Sequence, residues 1–161
     1  MQPRIRLVGT VLAGALLTAS LATAPTALAA SPAPAPAPAA LLSPAGCWNA
    51  RATEGDMPPA DVKLEFRTDR SVELIGPPDE NGNPYFVGHG TWTPGWSGSF
   101  RFTIEHPLPG GPPGEARSAL NGKLSSSKAF SANGRTHYFY DDGTTGGPSS
   151  ITITGTRAAC S

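Results

Sequence analysis

Apolar and polar side chains alternate along much of the chain after position 60. In DVKLEFRTDRSVELIG at 61–76, Val62, Leu64 and Phe66 alternate with charged residues, and a polar stretch at 68–70 leads into a second alternating run. A period of two is typical of strands that have one face packed and the other in water. Two such runs joined by a short polar turn predict a β-hairpin.

The stretch GHGTWTPGWSGSFRFTIEHPLPGG at 88–111 has the same pattern on both sides of a Pro-Gly turn. Phe100, Phe102 and Ile104 share one face of a predicted strand, and the segment before the turn is its hairpin partner. Further short strands are predicted around three turn dipeptides, Asn121-Gly122, Asn133-Gly134 and Asp142-Gly143. No helical period is visible. The pattern therefore predicts an all-β domain of eight or nine antiparallel strands at meander spacing, hence a small barrel or sandwich.

Two segments without strand character precede this domain. Residues 1–29 contain Arg4 and Arg6, an apolar run and the sequence Ala27-Leu28-Ala29, a pattern typical of a secretory signal peptide that is cleaved after Ala29. Residues 30–45 are rich in alternating Pro and Ala, which predicts an extended, solvated spacer. We expect 46–161 to form one secreted, monomeric domain that has no membrane segment after cleavage.

Charge is nearly balanced in the predicted domain. All of the 12 basic residues except Arg4 and Arg6 lie there, together with all 12 acidic residues, so the domain has a small net negative charge. No basic stripe is present, and nucleic acid is therefore a poor candidate partner.

The two cysteines, Cys47 and Cys160, lie at opposite ends of the domain. In an exported chain this placement favours a disulfide, with two free thiols or a metal pair as the alternatives. A disulfide would require the first and last strands to be neighbours. A closed barrel meets that requirement by construction.

GCW at 46–48 and Arg157 in ITITGTR resemble the Gly-x-Trp and late Arg signature of the calycin superfamily, the lipocalins and their relatives. The resemblance implies a small antiparallel up-and-down β-barrel of about eight strands. It also implies that Trp48 lies across the closed end with Arg157 over its ring. The segments GHGTWTP, FRFTIEHP and YFYDDG further resemble small exported actinobacterial proteins that have no assigned activity. This resemblance implies export but indicates no particular function.

Few side chains suggest chemistry. Trp92, Trp96 and Tyr85 are candidates for stacking on a ligand, or they plug and flank the barrel; His106 is the histidine that parity places on the apolar face. The histidines lack metal-site spacing, and no nucleophile motif is present. The sequence therefore predicts no metal, no cofactor and no catalytic residue.

Three classes of function follow from these observations. The leading hypothesis is a secreted β-barrel binding module that holds a small apolar molecule, or a protein partner, in or at its open mouth. The alternatives are a barrel-type cyclase or isomerase that uses one acid/base such as His106, and a cell-envelope structural protein presented on the spacer.

Overall fold

A computed structural model describes residues 42–160, where eight strands form one closed antiparallel barrel. The strands are β1 Gly46–Glu54, β2 Ala60–Phe66, β3 Ser71–Ile75, β4 Val87–Pro94, β5 Ser99–Pro107, β6 Gly114–Ser126, β7 Ala129–Tyr140 and β8 Thr145–Ala158. Each strand pairs with the next along the chain, and β8 pairs back onto β1. The predicted up-and-down barrel is therefore confirmed. The predicted signal peptide and the spacer through position 41 lie outside the described residues.

The up-and-down order places the connections alternately at two ends of the barrel. The mouth carries four loops, 55–59, 76–86, 108–113 and 141–144. The closed end carries three turns of at most four residues, 67–70, 95–98 and 127–128, together with the segment 42–45. No helix within 42–160 has the length and hydropathy of a membrane-spanning segment.

Large aromatic side chains fill the closed half of the barrel. Six inward rings are each at most 3% exposed: Trp48, Phe66, Trp92, Phe100, Phe102 and Phe130. Phe66 lies at the centre, and its ring meets four of the others edge to face at centroid distances of 5.2 to 6.2 Å. Such contacts add to the stabilisation from burial alone. The alternation seen in the sequence thus produces a packed aromatic core in this half.

Two of the three predicted turn dipeptides do not form turns. Asn121-Gly122 and Asn133-Gly134 lie within β6 and β7, where Asn121 pairs with Asn133. A Cβ on Gly122 would lie 2.3 Å from the Phe100 ring, and one on Gly134 would lie 2.0 Å from the Ala119 carbonyl oxygen. Close packing inside the sheet therefore requires these glycines, and the prediction of turns there was wrong. Asp142-Gly143 does lie in a turn, between β7 and β8.

A disulfide and one arginine seal the closed end. Cys47 is bonded to Cys160, which confirms the predicted bridge between the start of β1 and the residue after β8. The guanidinium of Arg157 lies 4.2 Å from the centroid of Trp48. It also donates hydrogen bonds to the backbone carbonyls of Ser43, Ala45 and Ser127 at 2.9, 2.6 and 2.8 Å.

The segment before β1 is part of this seal. The indole Nε1 of Trp48 donates to the carbonyl of Pro44 at 2.7 Å, and Pro44 is fully buried. Gly46 has a φ of +121°, and a Cβ there would lie 2.5 Å from Nη1 of Arg157. The glycine of the Gly-x-Trp sequence is therefore needed both for its backbone conformation and for the space that it leaves to the guanidinium.

Candidate ligand-binding cavity

The mouth half of the barrel encloses a cavity of about 430 Å³, within the roughly 300–1,000 Å³ typical of small-molecule sites. Its wall is formed by inward apolar side chains of the strands, including Val62, Leu74, Ile104, Leu120 and Ile153. Met57, Pro58, Leu108, Pro109 and Pro112 of the mouth loops line its rim. The cavity is therefore an apolar recess that faces the mouth.

Side-chain size explains why one half of the barrel is filled and the other is hollow. The closed half holds the six aromatic rings, and none of them lines the cavity. In the mouth half, inward positions are taken by smaller residues such as Ala52, Ala60 and Ser118. The same alternation continues through both halves, but the inward side chains no longer reach across the barrel.

Two hydrogen bonds join polar side chains in the interior of the mouth half. Ser118 Oγ and Thr136 Oγ1 are 2.8 Å apart and share a buried hydrogen bond. The hydroxyl of Tyr138 donates to Oε1 of Glu54 at 2.7 Å. Burial, and then this hydrogen bond, raise the pKa of Tyr138 to about 12. Tyr138 is therefore a neutral donor over the ordinary pH range.

His106 contributes an imidazole to the cavity wall. Its ring stacks on Phe86 at a centroid distance of 4.5 Å and an interplanar angle of 22°. Nδ1 lies 2.9 Å from the carbonyl oxygen of Pro107. Because a carbonyl oxygen only accepts, Nδ1 donates, and the neutral ring retains Nε2 as an acceptor.

The structure does not bring the four predicted binding residues together. His106 lines the cavity, whereas Tyr85 is 56% exposed in the mouth loop 76–86 and is not part of the wall. Trp92 lies in the filled half, is 2% exposed and donates from Nε1 to the carbonyl of Arg67. Trp96 is 93% exposed in a turn at the closed end. Neither tryptophan lines the cavity, because Trp92 is part of the aromatic core and Trp96 lies in a turn at the closed end.

Sequence reasoning missed Glu54 and Tyr138, the hydrogen-bonded pair in the cavity wall. A signal for Glu54 was available, because it shares the parity of Trp48 and therefore points inward at the end of β1. Tyr138 likewise has the parity of Phe130 and Ala132 on β7. An inward carboxylate near the mouth is the feature that parity could have found.

Outside this cavity, the described surface has a second depression but no candidate metal site. A depression of about 830 Å³ is lined mainly by outward residues of β1, β2 and β8 and by the loop 76–86, so it lies on the outside of the barrel. No group of three or more His, Cys, Asp or Glu side chains within 42–160 is placed to hold a metal ion.

Fold and cavity together define a small closed β-barrel with a recess at one end. No known family model matches the sequence, and no curated protein matches it. Among solved structures, the chain is similar to a redesigned beta barrel, with 23% identity, a TM-score of 0.52 and coverage of 71% of this chain and 90% of that one. It is also similar to EF1p2_mFAP2b bound to DFHBI, with 21% identity, a TM-score of 0.50 and coverage of 71% and 93%. At these identities the likeness concerns the barrel fold alone.

Proposed function

We propose that this chain is an exported β-barrel that binds a small apolar molecule in the cavity of its mouth half. The observation that carries the proposal is the contrast between the two halves. The closed half is packed with aromatic rings, whereas the mouth half has apolar walls around about 430 Å³ of space. An apolar molecule that entered this space would remove both its own surface and that of the wall from water.

Two further observations support the proposal. The disulfide between Cys47 and Cys160 is of the kind that forms in oxidising compartments, as expected for an exported protein. The structurally similar EF1p2_mFAP2b is bound to DFHBI, so a barrel of this architecture is able to hold a small molecule. Mass spectrometry of the exported protein tests the first point. An N-terminus at Ala30 is expected, and an intact Met1 would contradict export by signal cleavage.

Binding is tested with N-phenylnaphthylamine, a neutral apolar dye whose fluorescence increases in apolar surroundings. Ala52 points into the cavity and Thr152 is exposed on the outer face of neighbouring β8. The variant Ala52→Phe fills part of the space and should weaken dye binding by about tenfold or more. The matched variant Thr152→Phe adds the same ring outside and should leave binding unchanged.

The two variants separate cavity binding from other kinds of adsorption. Circular dichroism should first show that both retain the barrel. Absence of dye binding to the unmodified protein, or equal binding by the two variants, would refute a ligand site in the mouth half.

A further inference from the structure

One acidic side chain in the cavity wall has no basic partner. Glu54 lines the cavity, and Oε1 accepts the hydrogen bond from Tyr138. Within 42–160 the ion pairs are made by Arg51, Arg67 and Arg117, and none of them includes Glu54. A carboxylate that is partly removed from water benefits strongly from an opposite charge or additional donors. The second oxygen, Oε2, is available to such a donor.

The residues that line the cavity together with Glu54 favour a cation over an anion. Phe86, Tyr138 and Tyr140 line the same cavity, and the faces of aromatic rings attract positive charge. His106 in its neutral form adds an acceptor at Nε2. Among residues 42–160, no Lys or Arg side chain lines the cavity. Within 42–160 the wall therefore has acceptors at Glu54 and His106 and three aromatic rings, but no fixed positive charge for a carboxylate or phosphate.

The loops of the mouth extend this preference outward. Five acidic residues lie in them, with no Lys or Arg: Asp56, Asp79, Glu80, Asp141 and Asp142. Hydrogen bonds from backbone N–H of Asn83 lower the pKa of Asp79, and those from the side chain and backbone of Thr144 lower the pKa of Asp142. Both carboxylates are thus ionised at neutral pH. A concentration of one sign of charge around an opening attracts ligands of the opposite sign.

The closed end has the opposite balance. Its turns contain Arg67, Arg70 and Lys128 against the single acid Asp69. The small net charge of the whole domain conceals this asymmetry, because basic residues at the closed end and on the strands offset most of the negative charge at the mouth. The acidic character is therefore a property of the end at which the cavity opens.

We infer that the ligand is an amphipathic cation, an apolar body that carries an ammonium group bound at Glu54. The inference rests on the proposed function of the cavity and specifies its ligand class. The apolar body would lie against Val62, Leu74 and Leu120 below, and the ammonium would lie near the mouth, between the carboxylate and the aromatic rings. A ligand of this kind matches both the apolar wall and the acidic rim.

Displacement of bound N-phenylnaphthylamine by three linear probes of eight carbons each tests the inference. Octylammonium, octanol and octanoate have nearly the same apolar chain and differ in the charge of the head group. In the unmodified protein, octylammonium should displace the dye at about tenfold lower concentration than octanoate, with octanol between them. Glu54→Gln, whose amide oxygen can still accept from Tyr138, should remove most of the advantage of octylammonium.

Glu105→Gln is the matched control, because Glu105 is exposed on the outward face of β5. It removes the same charge from the domain and should preserve the order of the probes. Equal displacement by octylammonium and octanoate, or an unchanged ratio in Glu54→Gln, would overturn the inference. If Glu54→Gln does not fold, the comparison of the three probes on the unmodified protein decides alone.

Failure of the inference differs from failure of the proposed function. If the dye binds and Ala52→Phe blocks it, but the head group has no effect, the cavity is a ligand site without cation preference. If the dye does not bind, or binds equally to Ala52→Phe and Thr152→Phe, the proposed function itself fails.

Discussion

Replacing Arg157 by Lys should destabilise the barrel markedly although the charge is kept. The guanidinium covers the Trp48 ring at 4.2 Å and donates to the backbone carbonyls of Ser43, Ala45 and Ser127. A lysine ammonium can stay near one of these carbonyls but cannot reach all three while lying flat on the indole. Losing two hydrogen bonds at about 1 kcal/mol each and a stacking contact of about 0.5–1 kcal/mol gives a loss of about 2–3 kcal/mol.

Urea unfolding followed by tryptophan fluorescence measures this loss with the disulfide intact. Arg101→Lys is the control, because Arg101 is exposed on the outward face of β5. Arg70 would not serve as a control, because its guanidinium also stacks on a tryptophan, 4.3 Å from the centroid of Trp92. Gly46→Ala should cause a comparable loss, since its Cβ would overlap the Arg157 guanidinium and its φ is +121°. Equal free energies of unfolding for Arg157→Lys and Arg101→Lys would show that the stacking and hydrogen bonds of the Arg157 guanidinium do not stabilise the barrel.

Three further predictions concern the disulfide, the core and the buried phenol. Replacing Cys47 and Cys160, which are 113 positions apart, by alanine should lower the free energy of unfolding by about 4–5 kcal/mol, and an unchanged urea midpoint would contradict this. Phe102→Ala should cost about 3–5 kcal/mol in the same assay because the ring is 2% exposed, whereas Thr103→Ala on the outer face should cost little. Because the pKa of Tyr138 rises from 10.0 to about 12 on folding, its contribution to stability is complete below pH 10 and is lost as the pH rises towards 12. The fall in stability over that interval should be smaller in Tyr138→Phe, and identical pH profiles would argue against the shift.

Strand parity explains why so much of the fold could be predicted. The alternation of Phe100, Phe102 and Ile104 with polar residues appears unchanged in the burial of β5, because a slip of one residue would expose every apolar side chain at once. The position of the two cysteines required neighbouring terminal strands, and β1 does pair with β8. These are local or topological constraints that a sequence states directly.

The Asn-Gly dipeptides show where local reasoning fails. Asn-Gly dipeptides are typical of turns, yet Gly122 and Gly134 lie inside strands. They are needed there because the Phe100 ring and the Ala119 carbonyl oxygen of neighbouring strands leave no room for a side chain. Those contacts join residues of different strands and are set by register. As a result β6, β7 and β8 are longer than the turn signals indicate. The site was missed for a related reason, since Glu54 and Tyr138 are 84 positions apart and meet only in the closed barrel.

The division of the barrel into two halves has a consequence for how stability and binding depend on sequence. The disulfide, the Arg157 seal and the rings around Phe66 all lie at or near the closed end. The groups that could contact a ligand, with Glu54 and His106 among them, all lie at the mouth. Distant substitutions of this kind usually contribute independently to the free energy of unfolding. A polar cavity residue such as Glu54 can therefore be replaced without disturbing the contacts that keep the closed end shut, whereas Val62 and Leu120 line the cavity and also belong to the buried core.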